Sequence, residues 1–305
     1  MEKILEEVLN SNRKYTNYGQ VAGYIPELKK AKRDDLGICV IDKDNNIYKA
    51  GNWDTKFTIQ SVSKIVVLAM ALMDNDWQYV FSKVGKEPSG DPFNSIMKLE
   101  TNDTKKPSNP MINAGAIVTT SLIKGASLEE KEERMLKFFR KLAKNDNLGI
   151  NYDVYKSEKM TGDRNRAMAY LLRNDGFIQG DVEELLDLYF KQCSIEVDTL
   201  DLARIGVNLA SYGVDIETGE RIIDEKVSRI VKTFMVTCGM YDASGEFAIK
   251  VGIPAKSGVG GGILASVPNT MGIGVYGPAL DKKGNSIAGI KILEELSQRL
   301  ELNIF

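Results

Sequence analysis

The sequence contains no histidine among its 305 residues. This absence excludes Ser-His-Asp triads, Cys-His pairs and histidine-based zinc sites of the HExxH kind. If the chain is an enzyme, its proton transfers must use Lys, Tyr, Asp, Glu or water. A hydrolase without histidine points to a serine nucleophile with a lysine base. A non-catalytic protein can also lack histidine, so the absence narrows the mechanism without establishing catalysis.

Cysteine is scarce as well. The three cysteines, Cys39, Cys193 and Cys238, lie far apart and form no CxxC pair. We therefore expect neither a zinc site nor a redox pair. Buried, reduced thiols are the expected state of such residues.

Long apolar runs and strong net charge are also missing. The longest apolar run, Ile65 to Met73, is about half of the ~20 residues that a membrane span needs. The first residues, MEKILEEVLN, have neither an apolar signal core nor the Arg/Ser-rich character of a transit peptide. The formal net charge of -2 gives no general attraction to nucleic acid or to an anionic membrane. We expect a cytoplasmic protein that binds neither.

The hydrophobic patterning predicts strands near both ends of the chain and helices between them. The predicted strands are 36–42, 47–51, 56–60, 246–253, 263–268 and 270–277. The predicted helices are 1–14, 62–74, 129–145, 164–174, 181–193, 198–212, 224–238 and 287–300. The first three strands form a meander that runs directly into Ser61.

Such an order indicates an α/β (α+β) fold. We expect one antiparallel sheet sandwiched between the terminal helices, with a mostly helical second lobe. The sheet lobe would be discontinuous, comprising 1–64 and 225–305, and the helical lobe would span 65–224. The active site would lie between them.

Ser61-Val62-Ser63-Lys64 is an S-x-x-K motif at a predicted strand-to-helix junction. Residues three apart on a helix share a face, so a neutral Lys64 amine could take the Ser61 proton. The motif alone is weak, since it recurs at Ser11, Ser95 and Ser121. Only Ser61 begins a buried helix, although an ordinary N-cap serine would also fit that place.

Further segments could carry chemistry, each with a structural alternative. Lys256-Ser257-Gly258, before a glycine run, resembles the K-T-G element of penicillin-recognising enzymes, or is a bulged hairpin. Asn113 lies in a loop before small residues, or caps a helix. Glu158 and Asn165 lie just ahead of a helix and could hold an amino-acid head, or form a surface turn. Tyr241 lies at a helix end facing the sheet, where a core tyrosine is also usual.

Taken together, these stretches resemble the bacterial-type, serine-dependent glutaminase family. The resemblance spans roughly residues 20 to 290 in the family's order. It is carried by seven segments: FTIQSVSK (57–64), VGKEPSGDPFNS (84–95), PSNPMINAGAI (107–117), SEKMTGDRN (157–165), QCSIEV (192–197), CGMYDASG (238–245) and AKSGVGGGI (255–263). Gly23 and Gly260 depart from the residues that the family resemblance leads us to expect, and neither is a catalytic side chain.

The resemblance implies a two-lobed serine β-lactamase/penicillin-binding-protein-like fold and hydrolysis of L-glutamine to L-glutamate and ammonia, without metal or cofactor. It implies Ser61 as the nucleophile, Lys64 as the base, and Tyr241 and Tyr24 as active-site tyrosines. It also implies an oxyanion hole made by the backbone N–H groups of Ser61 and Val259. The residues expected to hold the amino-acid head of glutamine are Asn113, Glu158, Asn165 and Tyr189. A homo-oligomer, dimer or tetramer, is expected.

Two alternatives differ in class from this reading. A β-lactamase or penicillin-binding-type hydrolase would share S-x-x-K and Lys-Ser-Gly, but the chain has no Ser-Asp-Asn element. A non-catalytic amino-acid sensor on the same scaffold would need Glu158 and Asn165, and would have no need of Ser61 with Lys64.

Overall fold

The computed structural model describes residues 1–101 and 103–305. The strands are β1 (Gly37–Asp42), β2 (Ile47–Gly51), β3 (Phe57–Thr58), β4 (Glu196–Val197), β5 (Ala255–Ser257), β6 (Gly262–Val267) and β7 (Met271–Tyr276). The helices are α1 (Glu2–Asn12), α2 (Ser63–Asp74), α3 (Trp77–Lys83), α4 (Met97–Thr101), α5 (Asn113–Ser121), α6 (Leu128–Ala143), α7 (Tyr152–Met160), α8 (Asp163–Asn174), α9 (Val182–Cys193), α10 (Thr199–Ala210), α11 (Glu225–Cys238), α12 (Ser244–Lys250) and α13 (Ile287–Leu300). Short 3₁₀ turns, including Gln60–Val62 and Tyr241–Ala243, join some of them.

The main sheet is antiparallel, with strand order β2-β1-β7-β6-β5. Strands from the two ends of the sequence therefore meet at its centre, where Val40 pairs with Ile273. Alternate residues of a strand point to opposite faces, so Ile38 and Val40 face one side and Cys39 the other. This arrangement confirms the predicted α/β class and antiparallel sheet.

Both terminal helices flank the sheet, but on the same face. Leu5 and Val8 of α1 join Ile292 of α13 in one core cluster with the Ile38 and Val40 side of the sheet. The expectation of a sheet sandwiched between the two helices is wrong in this respect. The apolar faces of α1 and α13 contact one another as well as the sheet.

Helix α10 covers the opposite face of the sheet. A side chain at Gly272 of β7 would have its Cβ only 2.1 Å from the Val207 backbone nitrogen. Glycine therefore allows the helix to lie directly on the strand. Cys39 and Ala203 are buried in this contact. Because α10 belongs to the predicted helical lobe, the boundary between 65–224 and the sheet lobe stays a prediction.

Helix α2 runs through the centre of the largest core cluster. All of its residues from Ser63 to Leu72 are buried, as the apolar sequence predicted. It packs against α5 and α11. The start of α2 is thus held rigidly, and the turn that carries Ser61 leads directly into it.

Two predicted strands are wrong. Residues 56–60 do not extend the meander, because only Phe57–Thr58 is a strand and it pairs with Glu196–Val197 in a separate small sheet. Residues 246–253 begin within helix α12. Their alternating apolar residues resemble a strand, but Phe247 and Val251, four apart, are buried while Ile249 is 83% exposed. That spacing is the helical one.

All three cysteines are buried and unpaired, as predicted. Across residues 1–101 and 103–305, no helix combines the length and apolar character that a membrane crossing requires.

Candidate active site

Ser61 lies in the 3₁₀ turn that precedes α2, and its side chain is buried. The glycine-rich turn after β5 packs closely on this turn. A Cβ at Gly258 would lie 2.8 Å from the Ile59 carbonyl oxygen, and one at Gly260 would lie 2.4 Å from that of Thr58. The Lys-Ser-Gly stretch and its glycines thus bring the loop backbone beside Ser61, an approach that larger residues would prevent.

Lys64 is completely buried one turn after Ser61. Its Nζ donates hydrogen bonds to the Met111 carbonyl oxygen (3.2 Å) and to Asn113 Oδ1 (2.7 Å). Burial lowers the pKa of Lys64 to about 8, against the opposing effect of the Glu158 charge. A neutral lysine amine has two N–H groups and one lone pair. Two acceptors therefore leave the lone pair available for a proton from a neighbouring hydroxyl.

Tyr241 is held in an unusual backbone conformation, with φ of 55°. Its ring lies 4.8 Å from the Phe93 ring, centroid to centroid, and Lys256 Nζ lies 4.5 Å from its centroid. The hydroxyl is buried without a hydrogen-bond partner of ordinary geometry. Burial raises the pKa of Tyr241, while the nearby Ser61 hydroxyl lowers it. The hydroxyl thus faces Ser61 and stays protonated.

A small cavity of about 40 Å³ adjoins the Ser61 side chain. It brings together six of the predicted site residues, which are Tyr24, Ser61, Asn113, Glu158, Asn165 and Tyr189. Lys64 and Tyr241 adjoin this group through the contacts given above. Val259 does not line the cavity. Val259 lies beside Tyr241, and its backbone lowers the pKa of the tyrosine hydroxyl. It also lines a larger cleft outside the small cavity.

Among the described residues, Glu158 is the only carboxylate that lines this cavity. It lies in α7, and its Oε2 has no hydrogen-bond partner. Burial raises the pKa of Glu158 to about 8, and contacts with Gln60 and Lys64 oppose the rise. A buried carboxyl that favours its neutral form and has one oxygen without a partner would gain strongly from a cation placed beside it.

Asn113 links the two parts of the site. Its Oδ1 accepts from Lys64, and its Nδ2 donates to Asn165 Oδ1 at 3.1 Å. Asn113 is the first residue of α5 and Asn165 lies in the first turn of α8. The alternative that Glu158 and Asn165 form a surface turn is therefore wrong, because both lie within helices.

The ring and the hydroxyl of Tyr24 lie in different environments. The residue is 54% exposed, so much of its ring faces solvent. Yet burial raises the pKa of the Tyr24 hydroxyl well above its ordinary value, with Tyr241 and Glu158 adding to the rise. Its hydroxyl end therefore points inward, toward Tyr241 and Glu158, and the residue lines the small cavity.

Comparison with known proteins decides the family. The glutaminase family model matches residues 19–305. A glutaminase from Clostridioides difficile is 81% identical over 304 residues, covering all of this chain and 98% of that protein. The chain belongs to the glutaminase family. A glutaminase from Clostridium tetani is 61% identical over the full length of both proteins.

Solved glutaminase structures share the fold. A Bacillus subtilis glutaminase, solved as a covalent complex with 5-oxo-L-norleucine formed from 6-diazo-5-oxo-L-norleucine, superposes with a TM-score of 0.91. It is 40% identical and covers 100% of this chain and 99% of its own. A Bacillus glutaminase solved in 4.3 M NaCl gives a TM-score of 0.92 at 42% identity, with 99% and 98% coverage. These likenesses confirm the predicted fold class.

Three residues at this glutaminase-family site escaped the sequence reasoning. Gln60 lines the small cavity, lies close to Glu158 and has a φ of 48°, which is unusual for a residue other than glycine. Cys193 lines the cavity one helical turn after Tyr189, and this i,i+4 spacing could have revealed it. Phe93 lies in the segment 84–95 that carries part of the family resemblance, but no periodic pattern or motif in that loop pointed to Phe93 itself.

Proposed function

We propose that this chain is a glutaminase that hydrolyses the side-chain amide of L-glutamine to L-glutamate and ammonia through an acyl-enzyme on Ser61. The observation that carries the proposal is the buried Lys64, whose amine has two acceptors and a pKa lowered to about 8. A lysine placed in this way one turn after a serine suits general-base catalysis. The covalent complex of the related Bacillus subtilis glutaminase supports the covalent route.

In the proposed acylation, Lys64 takes the Ser61 proton as Oγ attacks the amide carbon. The oxyanion would lie between the backbone N–H groups of Ser61 and Val259, and removing one such donor typically costs about 10²–10³ in rate. Tyr241 donates a proton to the departing nitrogen and recovers one from Lys64. The C–N bond breaks as the Ser61 ester forms.

Water then hydrolyses the ester. Lys64 accepts the water proton, and Ser61 leaves with a proton returned to its Oγ. The net reaction consumes one water and releases L-glutamate and ammonia, so the chain's own Lys, Tyr and Ser groups suffice for every proton transfer. Tyr24, whose hydroxyl points inward over the cavity, assists by closing the site around the substrate.

The amino-acid head would be held by Glu158, Asn165, Asn113 and Tyr189. The unpaired Glu158 carboxyl supplies the charge for the substrate ammonium, and binding that cation would shift the carboxyl to its ionised form. The amides of Asn113 and Asn165 supply donors for the substrate carboxylate. Tyr189 is buried on α9 and closes the side of the cavity.

The remaining expectations belong to the same proposal. The molecule would have the two-lobed arrangement of serine β-lactamases, with 1–64 and 225–305 in one lobe, 65–224 in the other and the site between them. It would work in the cytoplasm as a homodimer or homotetramer.

The test is ammonia release from L-glutamine by the wild-type chain and by Ser61→Ala. Ser121→Ala is the matched control, because Ser121 also begins an S-x-x-K motif but donates only to its own helix, at the Val118 carbonyl. We expect activity in the wild type and the control, and only background in Ser61→Ala. Binding of glutamine without turnover by the wild type would favour the sensor alternative.

A further inference from the structure

The two acceptors of Lys64 both come from the segment where α5 begins. The Met111 carbonyl oxygen accepts from Lys64 Nζ at 3.2 Å, and Asn113 Oδ1 accepts from it at 2.7 Å. Asn113 is the first residue of α5, whereas Met111 lies in the turn that precedes the helix. The direction of the Met111 carbonyl therefore depends on what holds this turn.

The side chain of Asn109 holds the turn. Its Oδ1 accepts from the backbone N–H groups of Met111 (2.9 Å) and Ile112 (3.2 Å), and its Nδ2 donates to the Glu87 carbonyl oxygen (2.9 Å). The residue is only 1% exposed, so its carboxamide needs partners within the protein. Asparagine suits the position because its side chain can cap a turn and donate elsewhere at the same time. These three bonds fix the peptide groups around Met111.

The backbone of Asn109 is fixed as well. A Cβ at Gly115 of α5 would lie only 1.9 Å from the Asn109 carbonyl oxygen, so glycine lets the helix lie directly against this residue. Asn109 is thus held by α5 on one side and by the Glu87 carbonyl on the other.

The position of the Met111 carbonyl matters for the chemistry of a lysine base. A neutral amine has two N–H groups and one lone pair. When both N–H groups have acceptors, the lone pair is left to face the Ser61 hydroxyl. If the Met111 carbonyl moved away, the freed N–H of Lys64 could turn to Ser61 Oγ, and an amine that donates to the serine cannot take its proton.

We propose that Asn109 is a positioning residue for the base, which it orients by holding the Met111 carbonyl against Lys64. The inference rests on the proposed function, in which neutral Lys64 deprotonates Ser61. Asn109 acts through Met111 and lines a different cavity from the one at Ser61, so its replacement leaves the proposed substrate contacts in place.

The pH profile can distinguish this role from a purely structural one. Titratable side chains from three neighbouring elements face Lys64, and they are Glu158 of α7, Cys193 of α9 and Lys256 of β5. Asn109 is uncharged, so replacing it by Ala or Ser changes none of these charges. A carbonyl acceptor favours the charged ammonium. Its loss should therefore lower the pKa of Lys64 and move the rise of kcat/KM to lower pH.

Three variants form the experiment. Asn109→Ala removes all three bonds of the side chain, whereas Asn109→Ser keeps a hydroxyl that can cap the turn more weakly. Asn208→Ala is the matched control. Asn208 is also buried, and its Nδ2 donates to the Leu142 and Arg204 carbonyl oxygens, where α10 packs against α6.

The assay measures kcat and KM by ammonia release from glutamine, from about pH 6 to pH 9, with the full-length chain. Rates are expressed per active site that reacts with 6-diazo-5-oxo-L-norleucine, and circular dichroism monitors folding. In Asn109→Ala, we expect kcat and kcat/KM to fall together by on the order of 10²-fold, and the rise to move to lower pH. Asn109→Ser should give intermediate values, and Asn208→Ala should keep the wild-type kcat and profile.

Three results would overturn the proposal: a wild-type kcat in Asn109→Ala, a fall in kcat with no movement of the pH profile, or the same movement in Asn208→Ala. If Asn109→Ala does not fold, Asn109→Ser decides, and a wild-type kcat and profile in that variant would count against the proposal. A wild-type chain that releases no ammonia would refute the glutaminase activity itself, and this inference with it.

Discussion

The pH dependence of kcat/KM offers a direct test of the site's electrostatics. The proposed mechanism needs Lys64 neutral and Glu158 ionised, and burial places the pKa of each group at about 8. Both groups must lose a proton, so kcat/KM should rise with pH through that region. The pH dependence of kcat/KM reports ionisations of the free enzyme. Because Lys64 and Glu158 interact, the apparent pKa values of the rise should be those of the pair and not of either residue alone.

The size of the rise follows from the number of groups. With a pKa of about 8, a group is about half deprotonated at pH 8 and about 1% deprotonated at pH 6. One group therefore lowers kcat/KM by about 50-fold over this range, and two groups lower it by on the order of 10³-fold. The slope of log kcat/KM against pH should approach about 2 at the acidic end.

Replacing Glu158 by Gln removes one of the two ionisations. The slope should fall to about 1. The remaining rise of kcat/KM with pH should also move to lower pH. The Glu158 charge raises the pKa of Lys64, so the loss of that charge lets the pKa fall. At the plateau, loss of the charge facing the substrate ammonium should cost about 2–5 kcal/mol in kcat/KM.

The assay is kcat/KM for glutamine from about pH 6 to pH 9, by ammonia release, for the wild type and Glu158→Gln. Circular dichroism at each pH controls for unfolding. If the pH profile of kcat/KM had the same slope and midpoint in both proteins, Glu158 would not be one of the groups whose ionisation causes the rise. A wild-type profile that is flat across this range would refute the buried, neutral Lys64 as base.

Three further predictions concern the same residues. Lys64→Arg should be nearly as inactive as Lys64→Ala, since arginine keeps the charge but cannot act as a base; comparable kcat in Lys64→Arg and wild type would move the base elsewhere. L-Asparagine should be a poor substrate. If the amino-acid head is held fixed, the amide carbon of asparagine lies roughly 1.3 Å short of Ser61, and a misplacement of about 1 Å can cost on the order of 10²-fold in rate. Equal kcat/KM values for glutamine and asparagine would contradict this. Glu158→Gln should raise Tm by a few degrees at pH 8. The folded-state pKa of Glu158 is raised from 4.5 to about 8, so stability is lost as pH rises through that window, and an unchanged Tm would contradict the buried carboxyl.

The sequence predicted the longer helices well because their apolar faces recur at helical spacing over many residues. Helices α6, α9 and α13 begin and end within one or two residues of the predicted limits. The secondary structure of short segments was harder to predict. At 246–253, alternation of Phe247, Ile249 and Val251 fits a strand as well as a helix, and only tertiary packing leaves Ile249 in solvent.

Motif and resemblance predicted which residues gather at Ser61, yet not how they contact one another. The bond from Lys64 to Asn113 joins residues 49 positions apart, and that from Asn113 to Asn165 joins residues 52 apart. No periodicity within a single segment reports such long-range pairs. These pairs depend on how α2, α5 and α8 pack against one another. The sequence shows an apolar face for each helix separately and does not show how the three faces meet.

Some of the positions that local rules fail to predict lie at the site. Gln60 and Tyr241 both have positive φ, a conformation that side chains other than those of glycine or asparagine rarely adopt. Glu158 and Tyr241 keep buried polar atoms without partners, although such atoms normally find one. Each of these exceptions lowers the stability of the folded chain. Gln60 and Glu158 line the cavity beside Ser61, and Tyr241 lies next to Ser61 itself. A substrate that supplies an ammonium for Glu158 and a nitrogen for the Tyr241 hydroxyl would satisfy both groups at once. These two atoms therefore fit the proposed ligand, which carries a cation at one end and a proton-accepting amide at the other.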